Sequence, residues 1–364
     1  MALTQRLRYV NTASSAGGNG TTNATSGANR AYPTLTNAIT SEAASGGLVA
    51  ADVYLTIVCE GTSPDTSAVD ITGFTTDATH YVEVVTQTAG RHTGKWDTTK
   101  YRLEVAIDGD ILKISVPYCR IDGLQIKSTG NDAFVARGIR VGPGATGGNI
   151  RITNNIIRYA PTGTPTTNVN NIGIKAAEGS GSTVTIIVGN IVYDFRSNGI
   201  YVASGGSGEK FIVYNNTVVD CNASGFYLAG YGSTDSLYLI NNICQNCTGN
   251  DYTFDTAFTT QTTSNNISED ASSNDVSFRS KSVTFVDEPG DDFHLSSGDT
   301  VAKDLGADLS ADAQYPFNTD IDATTRSAPW DIGADEQAAG GGGPPPPGSG
   351  GGFNWYSFNG GFSG

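Results

Sequence analysis

The sequence predicts an all-β fold, a single-stranded parallel β-helix of stacked coils, on three observations. Gly numbers 46 of 364 residues and charged residues only 16%, against averages near ~7% and ~25%; excess Gly with scarce charge suits many strands and tight turns. An asparagine that follows an alternating apolar run recurs as Asn155, Asn190, Asn216, Asn242 and Asn266, at steps of 35, 26, 26 and 24 residues. A second anchor, a glycine followed by an apolar alternation, keeps the same phase at Gly138, Gly173, Gly199 and Gly225. A unit of about 26 residues cannot bury its own apolar face, so units must stack.

Residues 1–49 read as an N-terminal cap. A solenoid needs its open ends covered. Pro33 suits the first position of a short helix, with Leu35, Ala38, Ile39 and Ala43 on one side. The N-terminus has no apolar run of signal-peptide length, so a soluble chain made in the cytoplasm is expected. No apolar stretch reaches the length of a membrane span.

Residues 50–286 are the β-helix body. Its units are period-2 runs separated by Gly, Asn and Ser turns, the strand signal. About 26 residues suit three short strands and three turns, with equivalent residues about 4.8 Å apart along the axis. Ile139, Ile174, Ile200 and Phe226 then form one inward column, and Val141, Ala176, Val202 and Leu228 the next. Asn155, Asn190, Asn216, Asn242 and Asn266 form a structural column at a turn. Asn there tolerates left-handed backbone, bonds neighbouring amides and can stack in a ladder.

Residues 287–337 are Asp-rich and irregular, and are expected to close the far end with Phe317, Trp330 and Ile332 over an acidic, solvated surface. Residues 338–364 change character: a Gly/Pro-rich linker runs into Phe353, Trp355, Tyr356, Phe358 and Phe362, with no charged residue. Aromatics on a leash bury large area at a partner, so this tail is expected to dock on another subunit or a particle shell.

Chemistry is sparse. The five cysteines are odd in number and scattered, not a disulfide framework. Cys244-x-x-Cys247 has no second such pair and no nearby His, so neither a metal nor a cofactor is expected, and buried thiols are the simpler reading. Asp194 and Asp220 fall at equivalent positions in adjacent coils, about one strand spacing apart. They are the candidates for a carboxylate pair of a retaining glycosidase, with ordinary turn residues as the alternative. The three His are isolated, and no phosphate loop occurs. Net charge −15 and pI near 4.5 oppose nucleic-acid binding. One strand is apolar on both faces: Ile186, Val188, Ile212, Tyr214, Tyr238 and Ile240 point opposite to Ile187, Val213 and Leu239. Such a patch marks an interface between copies, or a face that another segment covers. Tyr201 and Tyr227 stack outward on another strand, as sugar contacts or as an ordinary aromatic ladder.

The ends carry a resemblance. Arg8-Tyr-Val, a Gly-rich turn and Ala31-Tyr-Pro-Thr-Leu-Thr-Asn-Ala-Ile39 resemble the N-terminal cap of phage and bacterial β-helix proteins. Phe293-His-Leu through Gly306, followed by Asp331-Ile-Gly-Ala-Asp-Glu336, resembles their C-terminal closing segment. With the Asn-Asn-Ile rhythm, residues 8–336 resemble the right-handed parallel β-helix repeat family. The resemblance implies a homotrimeric bacteriophage virion protein: a tail fibre or spike, or a capsid decoration, presented on the virion surface for assembly or host attachment, with host polysaccharide as a partner. Fold alone does not set function. The alternatives are a polysaccharide lyase or hydrolase of the same fold, or an extracellular or cell-surface adhesin.

Overall fold

The computed structural model describes residues 3–130, 135–163, 170–177 and 181–337. These form an all-β parallel solenoid with three long sheets. The first sheet has nine strands, from Thr4–Asn11 and Val53–Glu60 through Lys210–Tyr214 and Ser236–Ile240 to Thr260–Ser264. The second has seven, from Arg102–Val105 to Ile267–Ser268, and the third seven, from Val69–Ile71 to Tyr252–Thr256. From Val82–Val85 to Tyr252–Thr256, each coil passes through the three in turn. Lys210–Tyr214, Thr217–Val219 and Phe226–Ala229 make one coil, and Ser236–Ile240, Ile243–Gln245 and Tyr252–Thr256 the next.

Registers match the repeat. Ile174 pairs with Ile200, Ile200 with Phe226, and Phe226 with Tyr252. Phe226 and Tyr252 stack with centroids 4.9 Å apart and planes 4° apart. The inner columns from the three sheets form one continuous core from Val10 to Phe258. The glycine anchors have a steric cause. A Cβ on Gly173 would lie 2.2 Å from Val192 Cγ1, and one on Gly199 would lie 2.3 Å from Val218 Cγ1. At this corner the third sheet passes too close to the second for a side chain.

The N-terminal plug is helix Leu35–Ala44. Pro33 precedes it rather than opening it. Thr34 is the N-cap, with a side chain that accepts from Asn37 N. Leu35, Ala38 and Ile39 are buried on the core, and so is Glu42. Glu42 accepts from Arg8 Nε at 2.6 Å and from Tyr32 Oη at 2.9 Å. Asp65 takes the orphan N–H of Leu35 at 2.7 Å.

The expected closure of the far end is corrected. Phe317, Trp330 and Ile332 do not cover an open coil. Residues from Val283 onward turn back and run along the outside of the rod. Val283, Phe285, Phe293, Leu295, Ile321 and Ile332 pack on Ile156, Ile191, Tyr193, Val219 and Ile243 of the second sheet. Leu309 and Trp330, with Phe317 beside them, pack on the outer face of the first. At the end of the rod, residues 269–275 bond the last coil. Asn265 N donates to Asp275 Oδ2, and Ser273 Oγ to Asn266 O.

Candidate functional site

The Asn doublets divide the labour. Asn155, Asn190, Asn216, Asn242 and Asn266 are fully buried and form the expected ladder. Asn190 Nδ2 donates to Asn216 Oδ1, Asn216 Nδ2 to Asn242 Oδ1 and Asn242 Nδ2 to Asn266 Oδ1, at 2.9–3.0 Å. Each Oδ1 also accepts the backbone N–H of the asparagine one coil earlier. Left-handed backbone, expected at these residues, belongs instead to the residue before: Asn154, Gly189, Asn215, Asn241 and Asn265 have φ of 49–68°. That left-handed turn sends the first side chain outward. Asn215 Nδ2 donates to Asp331 O and Gly333 O. Asn241 bonds Ala307, and Asn265 donates to Leu305 O. The outer asparagines therefore clasp the returning segment.

The expected oligomer interface is corrected on the same ground. Ile186, Val188, Ile212 and Tyr214 are at most 2% exposed, and Ile240 is also buried. Leu309 and Trp330 of the same chain lie over them, with Tyr238 at the margin. The apolar patch is a second, internal interface, so it does not demand another copy.

The acidic closing segment is only in part a solvated surface: Asp287, Asp304 and Asp308 are exposed. Asp299, Asp320, Asp331, Asp335 and Glu336 are buried, and each caps backbone N–H groups that an irregular segment leaves orphaned. Asp299 accepts from Thr284, Val301, Ala302 and Lys303 N–H. Asp331 accepts from Asp304 and Gln337, and Asp335 from Leu295. Arg326 threads the middle. It donates to the carbonyls of Asp331, Gly333, Ala334 and Asp335 and pairs with Glu336 at 3.2 Å.

Asp194 and Asp220 stand in adjacent coils as expected, at left-handed turns with φ of 67° and 57°. They do not line an open groove, because residues 288–291 lie over this edge. Arg158 bridges Asp194 at 3.3 Å and Asp291 at 2.8 Å. Asn246, next in the column, donates to Glu288 at 2.6 Å. Burial pushes Asp194 up to about 6 against the pull of Arg158, and burial with Glu288 nearby raises Asp220. This geometry fits turn residues that hold a hairpin.

The third sheet presents a different face, one the sequence hinted at only through its tyrosines. Successive outward positions are Asp70, Lys113, Arg140, Lys175, Tyr201 and Tyr227. Lys113 pairs with Asp70 at 3.0 Å; Arg137 and Arg140 both reach Asp110 at 2.8 Å. Tyr201 and Tyr227 stack at 4.6 Å and 4°, with Lys175 Nζ 5.9 Å from the Tyr201 centroid. The stack covers one face of each ring. Tyr231, 58% exposed, donates to Asp255 at 2.7 Å beside the row. The row offers hydrogen-bonding groups at one spacing, coil after coil.

The aromatic tail residues Phe353, Trp355, Tyr356, Phe358 and Phe362 lie outside the described residues. Among the described residues, no helix is long and apolar enough to cross a membrane. Searches against family models and against curated proteins return no match.

Proposed function

We propose that the chain is a structural attachment component of a bacteriophage particle, a tail fibre, spike or capsid decoration. Its solenoid would be a right-handed parallel β-helix. The phage assignment rests on the cap and closing motifs, Ala31–Ile39 and Asp331–Glu336, and the aromatic tail would dock it to other virion proteins. Attachment to host-surface polysaccharide is supported by one observation above the others. The returning segment covers the outer faces of later strands of the first two sheets, whereas the third carries the Lys113–Arg140–Lys175–Tyr201–Tyr227 row. A polymer lying along the axis meets similar donors at every coil.

The test is retention of the purified chain on immobilised host capsular polysaccharide. Retention that falls in Lys175→Glu and Tyr227→Ala supports the reading; equal retention of both variants overturns the face. Release of oligosaccharide, abolished in Asp194→Ala or Asp220→Ala, would replace the reading with the lyase or hydrolase. Truncation at residue 337 tests docking, which is refuted by unchanged incorporation into particles. The homotrimer is decided by sedimentation of the purified chain.

A further inference from the structure

Two thiols and one carboxylate converge at the corner between the second and third sheets, with a third thiol, Cys221, one coil earlier. Cys244 continues the inner column of Val192 and Val218. Cys221 and Cys247 are equivalent residues one coil apart, since Val219 pairs with Gln245. Asp251 stands where Gly225 stands one coil earlier, since its neighbour Tyr252 pairs with Phe226. The glycine column, imposed by close packing, is thus broken by a carboxylate at the level where the sulfurs gather. Asp251 is 2% exposed. Its Oδ2 accepts from Glu269 and Asp270 N–H, while its Oδ1 accepts from Cys244 Sγ at 3.4 Å.

The distances have a chemical meaning. Cys244 Sγ and Cys247 Sγ are 3.5 Å apart, and one ligand atom from each of Cys244, Cys247 and Asp251 lies within 4.8 Å of the others. In a tetrahedral zinc site with Zn–S about 2.3 Å and Zn–O about 2.0–2.2 Å, sulfurs lie about 3.8 Å apart and sulfur and oxygen about 3.5 Å apart. These two edges therefore already stand close to tetrahedral spacing. We propose that Cys244, Cys247 and Asp251 form a site for a thiophilic divalent cation of the zinc class, closing the last coils of the rod. Binding releases the thiol protons to the buffer and involves no change of oxidation state. Cys247, the least buried of the three thiols, marks the side of entry.

The experiment uses the full chain, reduced and freed of metal, titrated with Co²⁺ and then with Zn²⁺. The expected result is a thiolate-to-cobalt charge-transfer band with tetrahedral d–d bands, saturating at one ion per chain and displaced by Zn²⁺. Asp251→Asn and Cys247→Ser should weaken binding at least roughly tenfold, while Cys59→Ser and Cys119→Ser, at distant buried thiols, leave it unchanged. Because a core variant can fail to fold, protection of wild-type thiols from a thiol reagent by Zn²⁺ is a second reading. Absence of both the bands and the protection overturns the site. So does loss of the bands in Cys59→Ser, or mass spectra of the unreduced chain that show Cys244 and Cys247 joined as a disulfide.

Discussion

The side-chain amide of Asn241 pairs with the backbone of Ala307 as one peptide group pairs with another. Its Oδ1 accepts Ala307 N–H and its Nδ2 donates to Ala307 O, both at 2.9 Å across 66 residues. The adjacent Asn242 faces the other way, into the ladder. The two should respond differently to substitution. Asn241→Gly keeps the left-handed turn and removes the clasp, together with the amide's bond to Asn215 Oδ1. Its expected effect is faster hydrogen exchange around residues 305–309, with a global loss of about 1 kcal/mol. Asn242→Ala strands the buried backbone N–H of Asn216, whose Nδ2 keeps Ile187 O and Tyr214 O, and removes the bonds of Asn242 Nδ2 to Val213 O and Asn266 Oδ1. The orphaned N–H alone should cost about 1–3 kcal/mol, read as a shift in the urea midpoint. Equal effects of the two substitutions would refute the division of labour.

Gly199→Ala tests the corner. The added Cβ would sit 2.3 Å from Val218 Cγ1 and 2.9 Å from Gly225 O. Overpacking of that kind costs about 1–3 kcal/mol or more. Gly47→Ala is the reference, because a Cβ there meets nothing within 4 Å and its φ is −63°. Destabilisation of Gly199→Ala no greater than that of Gly47→Ala would remove the steric explanation of the glycine column.

The repeat made the coils legible because stacking repeats the same environment. Gly173 and Gly199 meet the same steric corner, and Asn190, Asn216 and Asn242 the same amides. The returning segment was not legible. Ile186 and Ile212 announced an apolar outer face, but nothing in their spacing distinguishes a second copy from residues 305–331. Trp330 has no periodic partner to betray its address. Asp299 and Asp335 read as surface charge because acids seldom bury unless paired; only the geometry of an irregular segment, rich in orphan N–H groups, gives them inward work. Asp251 lies only four residues beyond Cys247, but spacing alone does not show its carboxylate turned inward beside the Cys244–Cys247 pair. The row on the third sheet was half visible, since Tyr201 and Tyr227 kept the repeat and the cations above them belong to coils of irregular length.

The returning segment should dock more firmly at mildly acidic than at alkaline pH. Burial works against the charge on His294, but its bonds to Asp322 and Asp292 and the nearby Asp335 hold the proton up to about 10. Its contribution is therefore full below its ordinary 6.5 and is lost as pH climbs through about 10. Burial raises Asp320 to about 7 and Asp331 to about 6 from an ordinary 3.8. The folded state then binds more protons than the unfolded, so stability falls as pH rises from about 4 to 7. Both effects have the same sign. Asp292, held low by His294 although burial opposes it, loses its contribution only in stronger acid, as pH falls below its ordinary 3.8. Hydrogen-exchange protection of residues 283–337 should be higher at about pH 5 than at about pH 9, after correction for intrinsic exchange rates. Protection that rises with pH would contradict the assignment.

Trp330→Ala separates the internal interface from an intermolecular one. The indole is 2% exposed and packs beside Leu309 on Ile186, Val188, Ile212 and Tyr214, with Phe317 edge-on at 5.1 Å. Truncating a buried Trp costs about 3–5 kcal/mol where the site cannot collapse. Here much of that loss should be local, because the ladder and inner columns of the rod do not pass through Trp330. The expected outcome is cleavage by protease within residues 303–330, an intact solenoid by circular dichroism, and self-association of the variant as the uncovered apolar face seeks a partner. Ile212→Asp added to Trp330→Ala should restore the original sedimentation behaviour by charging that face. If Trp330→Ala leaves both protease resistance and sedimentation unchanged, the indole does not hold the segment to the first sheet.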